Sequence, residues 1–120
     1  MSKRILLVED EKDNMQILRD LLTIEYEIDE AQDGEQALSA VARQRPDLIL
    51  MDIQLPIMDG YEATRRLKAD PALRSIPIIA ITSYAMGDDE KRARAAGCDD
   101  FVAKPYSPRQ LLAKVREYLS

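Results

Sequence analysis

Leu48-Ile49-Leu50-Met51-Asp52 decides the fold. Four apolar residues run without a polar break and end on an aspartate. An amphipathic strand alternates polar and apolar residues, whereas a strand buried on both faces reads as a continuous aliphatic run. Two other segments have the same character, Ile5-Leu6-Leu7-Val8 and Ile76 to Ile81, and Glu27 to Ala31 and Phe101 to Ala103 are weaker strand candidates. Three doubly buried strands imply a parallel sheet with helices on both of its faces.

The segments between the runs carry helical spacing. Met15, Leu18, Leu21 and Leu22 form one stripe; Ala37, Leu38 and Val41 a second, after Asp33-Gly34; Tyr61, Thr64 and Leu67 a third, after Asp59-Gly60. Asp88 to Ala96 is charged, with alanines as its only apolar content, and predicts a poorly anchored, partly exposed helix. Leu111, Leu112, Val115 and Leu119 make the last stripe, with Ser107 as N-cap and Pro108 in the first turn. Pro46, Pro71 and Gly97 supply stops. The order is β-α five times over, with no linker, low-complexity tract or further repeat. We expect one domain over residues 1–120 without an effector domain, since the chain ends just after its last helix.

Composition narrows the chemistry. The 120 residues are 46% hydrophobic and 32% charged, which suits a globular domain. A net charge of −5 argues against nucleic acid or anionic lipid as partner. The absence of histidine excludes His-ligated metals, Ser-His-Asp catalysis and an internal phosphohistidine relay. One cysteine, Cys98, permits no intrachain disulfide, and no apolar run is long enough for a membrane span or a signal peptide core. A cytoplasmic protein without membrane insertion is expected.

The polar residues are concentrated where the strands end. Glu9 and Asp10 follow the first strand, Asp52 the third, Thr82 the fourth and Lys104 the fifth. Ligands of open α/β sheets bind at that edge, where the strand order reverses. Two carboxylates about 5 Å apart repel by about 3 kcal/mol at an effective dielectric of roughly 20, and a divalent cation removes that cost. Oxygen ligands favour Mg2+ over zinc, with Mn2+ as the alternative. A cation, an ammonium and a hydroxyl around one carboxylate suit phosphoryl transfer onto that carboxylate.

These residues resemble the bacterial response-regulator receiver family of two-component systems. The resemblance rests on L-L-V-E-D at Leu6 to Asp10, D-L-I-L-M-D-I-Q-L-P at Asp47 to Pro56, M-D-G at Met58 to Gly60, A-I-T-S at Ala80 to Ser83, and Lys104-Pro105. Its small members include the chemotaxis regulator, and the M-D-I-Q-L-P stretch is similar to small cell-division regulators. The resemblance implies a flavodoxin-like doubly wound (βα)5 fold, strand order 2-1-3-4-5. It implies Asp52 as phosphoryl acceptor, Asp10 as a direct Mg2+ ligand, Glu9 acting mainly through water, and the Gln54 backbone carbonyl as third protein ligand. Lys104 would pair with a phosphoryl oxygen, its bond to Pro105 would be cis, and Thr82 and Phe101 would form the switch. Gln54 and Tyr84 would tune the phosphoryl lifetime, with bulky Tyr84 slowing hydrolysis. Two departures are Glu9 in place of the more frequent aspartate and Phe101 in place of tyrosine. The donor would be a histidine kinase or histidine phosphotransfer protein. A downstream protein would be met through the fourth helix, fifth strand and fifth helix, where Arg92, Arg94, Tyr106 and Arg109 would be available.

The residues read singly admit plainer roles. Glu9-Asp10 can be a solvated loop, Asp52 a cap, Thr82 a strand-end hydroxyl, Phe101 a core residue, Tyr106 plain surface, and Cys98 a small semi-buried residue. Asp99-Asp100 and Asp88 to Arg94 read as solvated surface. Among rival functions, a small phosphoester hydrolase with Asp52 as nucleophile lacks the usual second aspartate two residues on, because Gln54 stands there. A nucleotide or flavin module lacks a glycine-rich loop after the first strand.

Overall fold

The computed structural model describes residues 2–82 and 87–119, with the side chains of 87–89 also outside it. The elements are β1 (Arg4–Val8), α1 (Lys12–Leu22), β2 (Glu27–Ala31), α2 (Gly34–Arg43), β3 (Leu48–Asp52), α3 (Gly60–Ala69), β4 (Ile78–Thr82), α4 (Gly87–Ala96), β5 (Asp100–Ala103) and α5 (Pro108–Leu119). All strands are parallel, in the order β2-β1-β3-β4-β5. This is the flavodoxin-like arrangement, and its order reverses between β1 and β3.

The continuous aliphatic runs fill both sides of the sheet. Ile5, Leu7, Leu48, Leu50, Ile79 and Ile81 face α1 and α5, packing on Met15, Leu18, Leu111 and Val115. Leu6, Val8, Ile49, Met51, Ile78 and Ala80 face the other way, onto Ala37, Val41, Ala63 and Leu67 of α2 and α3. Successive strand residues point to opposite faces, so an unbroken run is what two covered faces require. The outer strands β2 and β5 are only partly buried, which is why their sequences read more weakly.

Helix starts follow from side chains that satisfy free backbone amides. Asp33 accepts from Gln36 N–H and Asp59 from Glu62 N–H, so both Asp-Gly pairs begin helices. Glu11, unassigned in the sequence, caps α1 through Asp13 and Asn14. At α5, Ser107 Oγ accepts from Gln110 N at 3.0 Å while Gln110 Oε1 accepts from Ser107 N at 3.1 Å, a reciprocal capping box.

Three details differ from expectation. The fourth strand begins at Ile78: Ile76 is buried in the preceding turn, donating its N–H to Leu73 O, and Pro77 has no N–H to give a ladder. Cys98 is fully rather than half buried, its Sγ 3.7 Å from Thr64 Oγ1. Asp99 and Asp100 are not idle surface. Asp99 Oδ2 accepts from Ile78 N and Lys68 Nζ, each at 2.8 Å, and Asp100 pairs with Lys114 at 3.1 Å.

Candidate phosphoryl-acceptor and metal site

Strand register builds the site. Val8 lies beside Met51, Asp52 beside Ile81, and Thr82 beside Ala103. Glu9 is therefore level with Asp52, and Lys104 is one step past Thr82. Backbone bonds extend the ladder beyond the strands: Glu9 N donates to Ala31 O, Ile53 N to Ile81 O and Lys104 N to Thr82 O. Asp52 and Thr82 are thus the last residues of their strands rather than the first beyond them. That shift of one position sinks both side chains into the sheet edge.

Asp52 is only 3% exposed and is held at both oxygens. Oδ1 accepts from Gln54 N at 2.9 Å, and Oδ2 accepts from Lys104 Nζ at 3.0 Å. The Lys104-Pro105 peptide is cis, as expected. Burial lowers the ammonium's pKa, but the hydrogen bond and charge of Asp52, joined by Glu9, outweigh it and raise it overall.

The acids converge. One carboxylate oxygen each from Glu9, Asp10 and Asp52 can be chosen so that all lie within 4.8 Å of one another. Asp10 is exposed, while Glu9 is 2% exposed. Glu9 Oε2 accepts from Glu11 N at 3.2 Å, but buried Oε1 has no hydrogen-bond partner and lies 3.6 Å from Lys104 Nζ. Burial, then the Asp52 carboxylate beside it, push the Glu9 carboxyl from the usual 4.5 to about 7. An acceptor buried without a donor is costly, and an all-oxygen donor set suits a hard divalent cation. The residues fit the metal that the sequence implies. Beside them a cleft of about 240 Å³ is lined by Asp10, Lys12, Met15, Arg19 and Glu30 among others.

The segment from the end of β3 to α3 lies close against two helix starts. A Cβ on Gly60 would lie 2.5 Å from Asp52 O, and one on Gly34 would lie 2.4 Å from Met58 O. Both Asp-Gly glycines therefore also allow a close approach of helix start to loop, a role not evident from their helix-start signal. Ile57 takes φ 66° and is 77% exposed. Left-handed backbone in a β-branched residue is strained, and Met58 N donates to Pro56 O across it at 2.6 Å.

The other sequence candidates fall nearby. Phe101 is half-buried on β5, and Tyr106 is half-buried against the α1–α5 face, with burial raising its phenol pKa. Arg92 and Arg94 are exposed, as expected, and each also rests on an aromatic ring. Their guanidinium carbons stack on the rings of Tyr61, at 4.4 Å, and Phe101, at 5.5 Å. Tyr84 and Ser83 lie outside the described residues.

Fold and site together define a flavodoxin-like α/β domain with a carboxylate cluster and a lysine at its topological switch point. The chain belongs to the response regulator receiver domain family, whose family model matches residues 5–116. It is 44% identical over 120 residues to the polar-differentiation response regulator DivK of Brucella anthropi, covering 99% of this chain and 98% of that protein. A putative response regulator from Chloroflexus aurantiacus superposes with a TM-score of 0.95 at 29% identity, covering 99% and 98% of the two chains. The receiver domain of the sensor histidine kinase PA1611 from Pseudomonas aeruginosa, with a magnesium ion in its active-site cleft, gives 0.91 at 38% identity, covering 99% and 98%. Among the described residues, no helix is long and apolar enough to cross a membrane.

Proposed function

We propose that this chain is a stand-alone response regulator that takes a phosphoryl group on Asp52 from a phosphohistidine donor, hydrolyses it, and signals through phosphorylation-dependent protein binding. The observation that carries this reading is a buried carboxylate fixed at both oxygens, with Glu9 and Asp10 crowded against it.

An Asp52 oxygen attacks phosphorus as the phosphorus–nitrogen bond of the donor imidazole breaks, leaving an acyl phosphate and a neutral histidine once that nitrogen takes a proton. The chain supplies position and charge. The Gln54 N–H and Lys104 orient the carboxylate, and Lys104 then turns its ammonium to a phosphoryl oxygen. The Thr82 hydroxyl hydrogen-bonds the same group, and Phe101 follows Thr82 as the second half of the switch. Asp10, Asp52 and the Gln54 carbonyl would hold Mg2+, or Mn2+ in its place, with Glu9 acting through water. When bound, the metal neutralises charge that builds on the phosphoryl oxygens. Hydrolysis returns the Asp52 carboxylate when water attacks phosphorus, and Gln54 and Tyr84 set how readily water arrives. A histidine kinase or phosphotransfer protein in the cytoplasm is the donor, and the α4–β5–α5 face is the output surface of a single domain over residues 1–120.

A phosphoester hydrolase built on Asp52 has less support. It needs a second acid to protonate the leaving group, and position 54 holds a glutamine. Incubation with acetyl phosphate and Mg2+, followed by peptide mapping, separates the two. A receiver acquires one base-labile adduct on Asp52 that is absent from Asp52→Asn and from metal-free samples. Steady turnover of p-nitrophenyl phosphate without an adduct would favour the hydrolase.

A further inference from the structure

Helix α4 has little to hold it by hydrophobic burial. Among its described side chains the buried ones are Ala93, at 0% exposure, and Ala96, one turn on. Two methyl groups bury far less apolar surface than the Met15, Leu18 and Leu22 of α1. Successive residues on a helix are 100° apart, so an inward Ala93 places Arg92 and Arg94 on the two shoulders of α4. From there the long side chains reach in opposite directions. The Arg92 guanidinium carbon sits 4.4 Å over the ring of Tyr61 on α3, and that of Arg94 sits 5.5 Å over the ring of Phe101 on β5. Glu90, one turn before Arg94, braces it with an ion pair of 3.3 Å.

We propose that α4 is seated by these two guanidinium–ring clasps, which act where an apolar stripe is missing and couple the position of α4 to that of the Phe101 ring. A guanidinium over an aromatic face is attracted by the ring's quadrupole while its stem covers apolar surface. Losing the Arg94 clasp removes the guanidinium contact to β5, and losing the Arg92 clasp removes the one to α3, while the alanine packing of α4 stays in place. A displacement of the Phe101 ring therefore releases one side of α4 while the other holds. The clasps need no phosphoryl chemistry; their use as an output path rests on the receiver reading above.

Phe101 is the single phenylalanine of the chain, so 4-fluorophenylalanine labelling gives one fluorine resonance that reports this ring. In the unphosphorylated protein, Arg94→Ala is expected to shift that resonance and Arg92→Ala to leave it in place. Each substitution is expected to speed hydrogen exchange of the α4 amides by about two- to five-fold, with α1 and α2 unchanged, and the pair to speed it further. Arg65→Ala, which removes an exposed arginine paired with Glu62 on α3, is expected to leave α4 unchanged. An unmoved resonance in Arg94→Ala, or unchanged α4 exchange in the double variant, would overturn the proposal. So would an equal acceleration in Arg65→Ala. None of these readouts uses a phosphodonor, so failure of Asp52 phosphorylation leaves the test intact.

Discussion

The two edges of the sheet gather charge in opposite ways. At the N-terminal edge, Arg4 pairs with Glu27 at 3.2 Å and Asp29 at 3.1 Å, while Asp47 accepts the Arg4 N–H at 2.8 Å. Lys68 there gives its ammonium to Asp99 Oδ2, Ile76 O and Arg74 O within 3.0 Å. Asp47 and Asp99 also accept strand amides that would otherwise lack partners. At the C-terminal edge, Glu9, Asp10 and Asp52 converge near one ammonium, that of Lys104, and a buried oxygen of Glu9 has no hydrogen-bond partner. Charges that close on one another hold a fold together. Charges left open at a cleft are kept for something that arrives later, at a cost in stability.

That contrast can be broken most forcefully at Glu9. Its folded-state pKa of about 7 lies above the usual 4.5. Between those values the folded protein keeps a proton that the unfolded chain has lost, so stability falls as pH rises through this window and stays low above it. Without divalent metal, Glu9→Gln should flatten the decline and be more stable at pH 8, by up to about 3 kcal/mol. Mg2+ favours the ionised carboxylate and should oppose the decline in the wild type. Urea unfolding across pH, with and without Mg2+, measures all three, and a metal-free wild type that gains stability toward pH 8 would contradict the account.

The opposite edge should respond with the opposite sign. Lys68→Met keeps the stem but removes three hydrogen bonds, and we expect a loss of about 2 kcal/mol in urea unfolding, with phosphorylation of Asp52 preserved. A neutral or stabilising result would mean that the N-terminal cluster is no more structural than the site. The smallest effect is expected at Ile57. Replacement by glycine relieves the left-handed backbone but adds freedom to the unfolded chain, so a net gain below about 1 kcal/mol should appear as a small rise in melting temperature. A loss instead would mean that the exposed Ile57 side chain contributes packing that outweighs its strain.

Much of this was legible in the residues themselves. The aliphatic runs at β1, β3 and β4 announce a doubly covered sheet because no other soluble structure buries both faces of a strand. Acids at the ends of the β1 and β3 runs, and a lysine after the weaker β5, then fall at one edge. The failures have physical causes. Ile76 is as apolar as the strand it precedes, and only the proline after it hints at a later start. The burial of Glu9 beside an exposed Asp10 was not legible, because β1 is covered on both faces and alternation alone does not tell which side chain past Val8 meets solvent. The Lys68 hydrogen bonds and the two arginine clasps were not legible, since long flexible side chains end where tertiary neighbours happen to be. Arg92 and Arg94 read as free surface for that reason.

Calorimetric titration with Mg2+ tests the central claim most directly: carboxylates from separate strands form a cation site around Asp52. The account predicts one saturable Mg2+ per chain, binding lost in Asp10→Asn and kept in Asp99→Asn. No saturable binding at millimolar Mg2+, or equal binding by the Asp10→Asn variant, would contradict it.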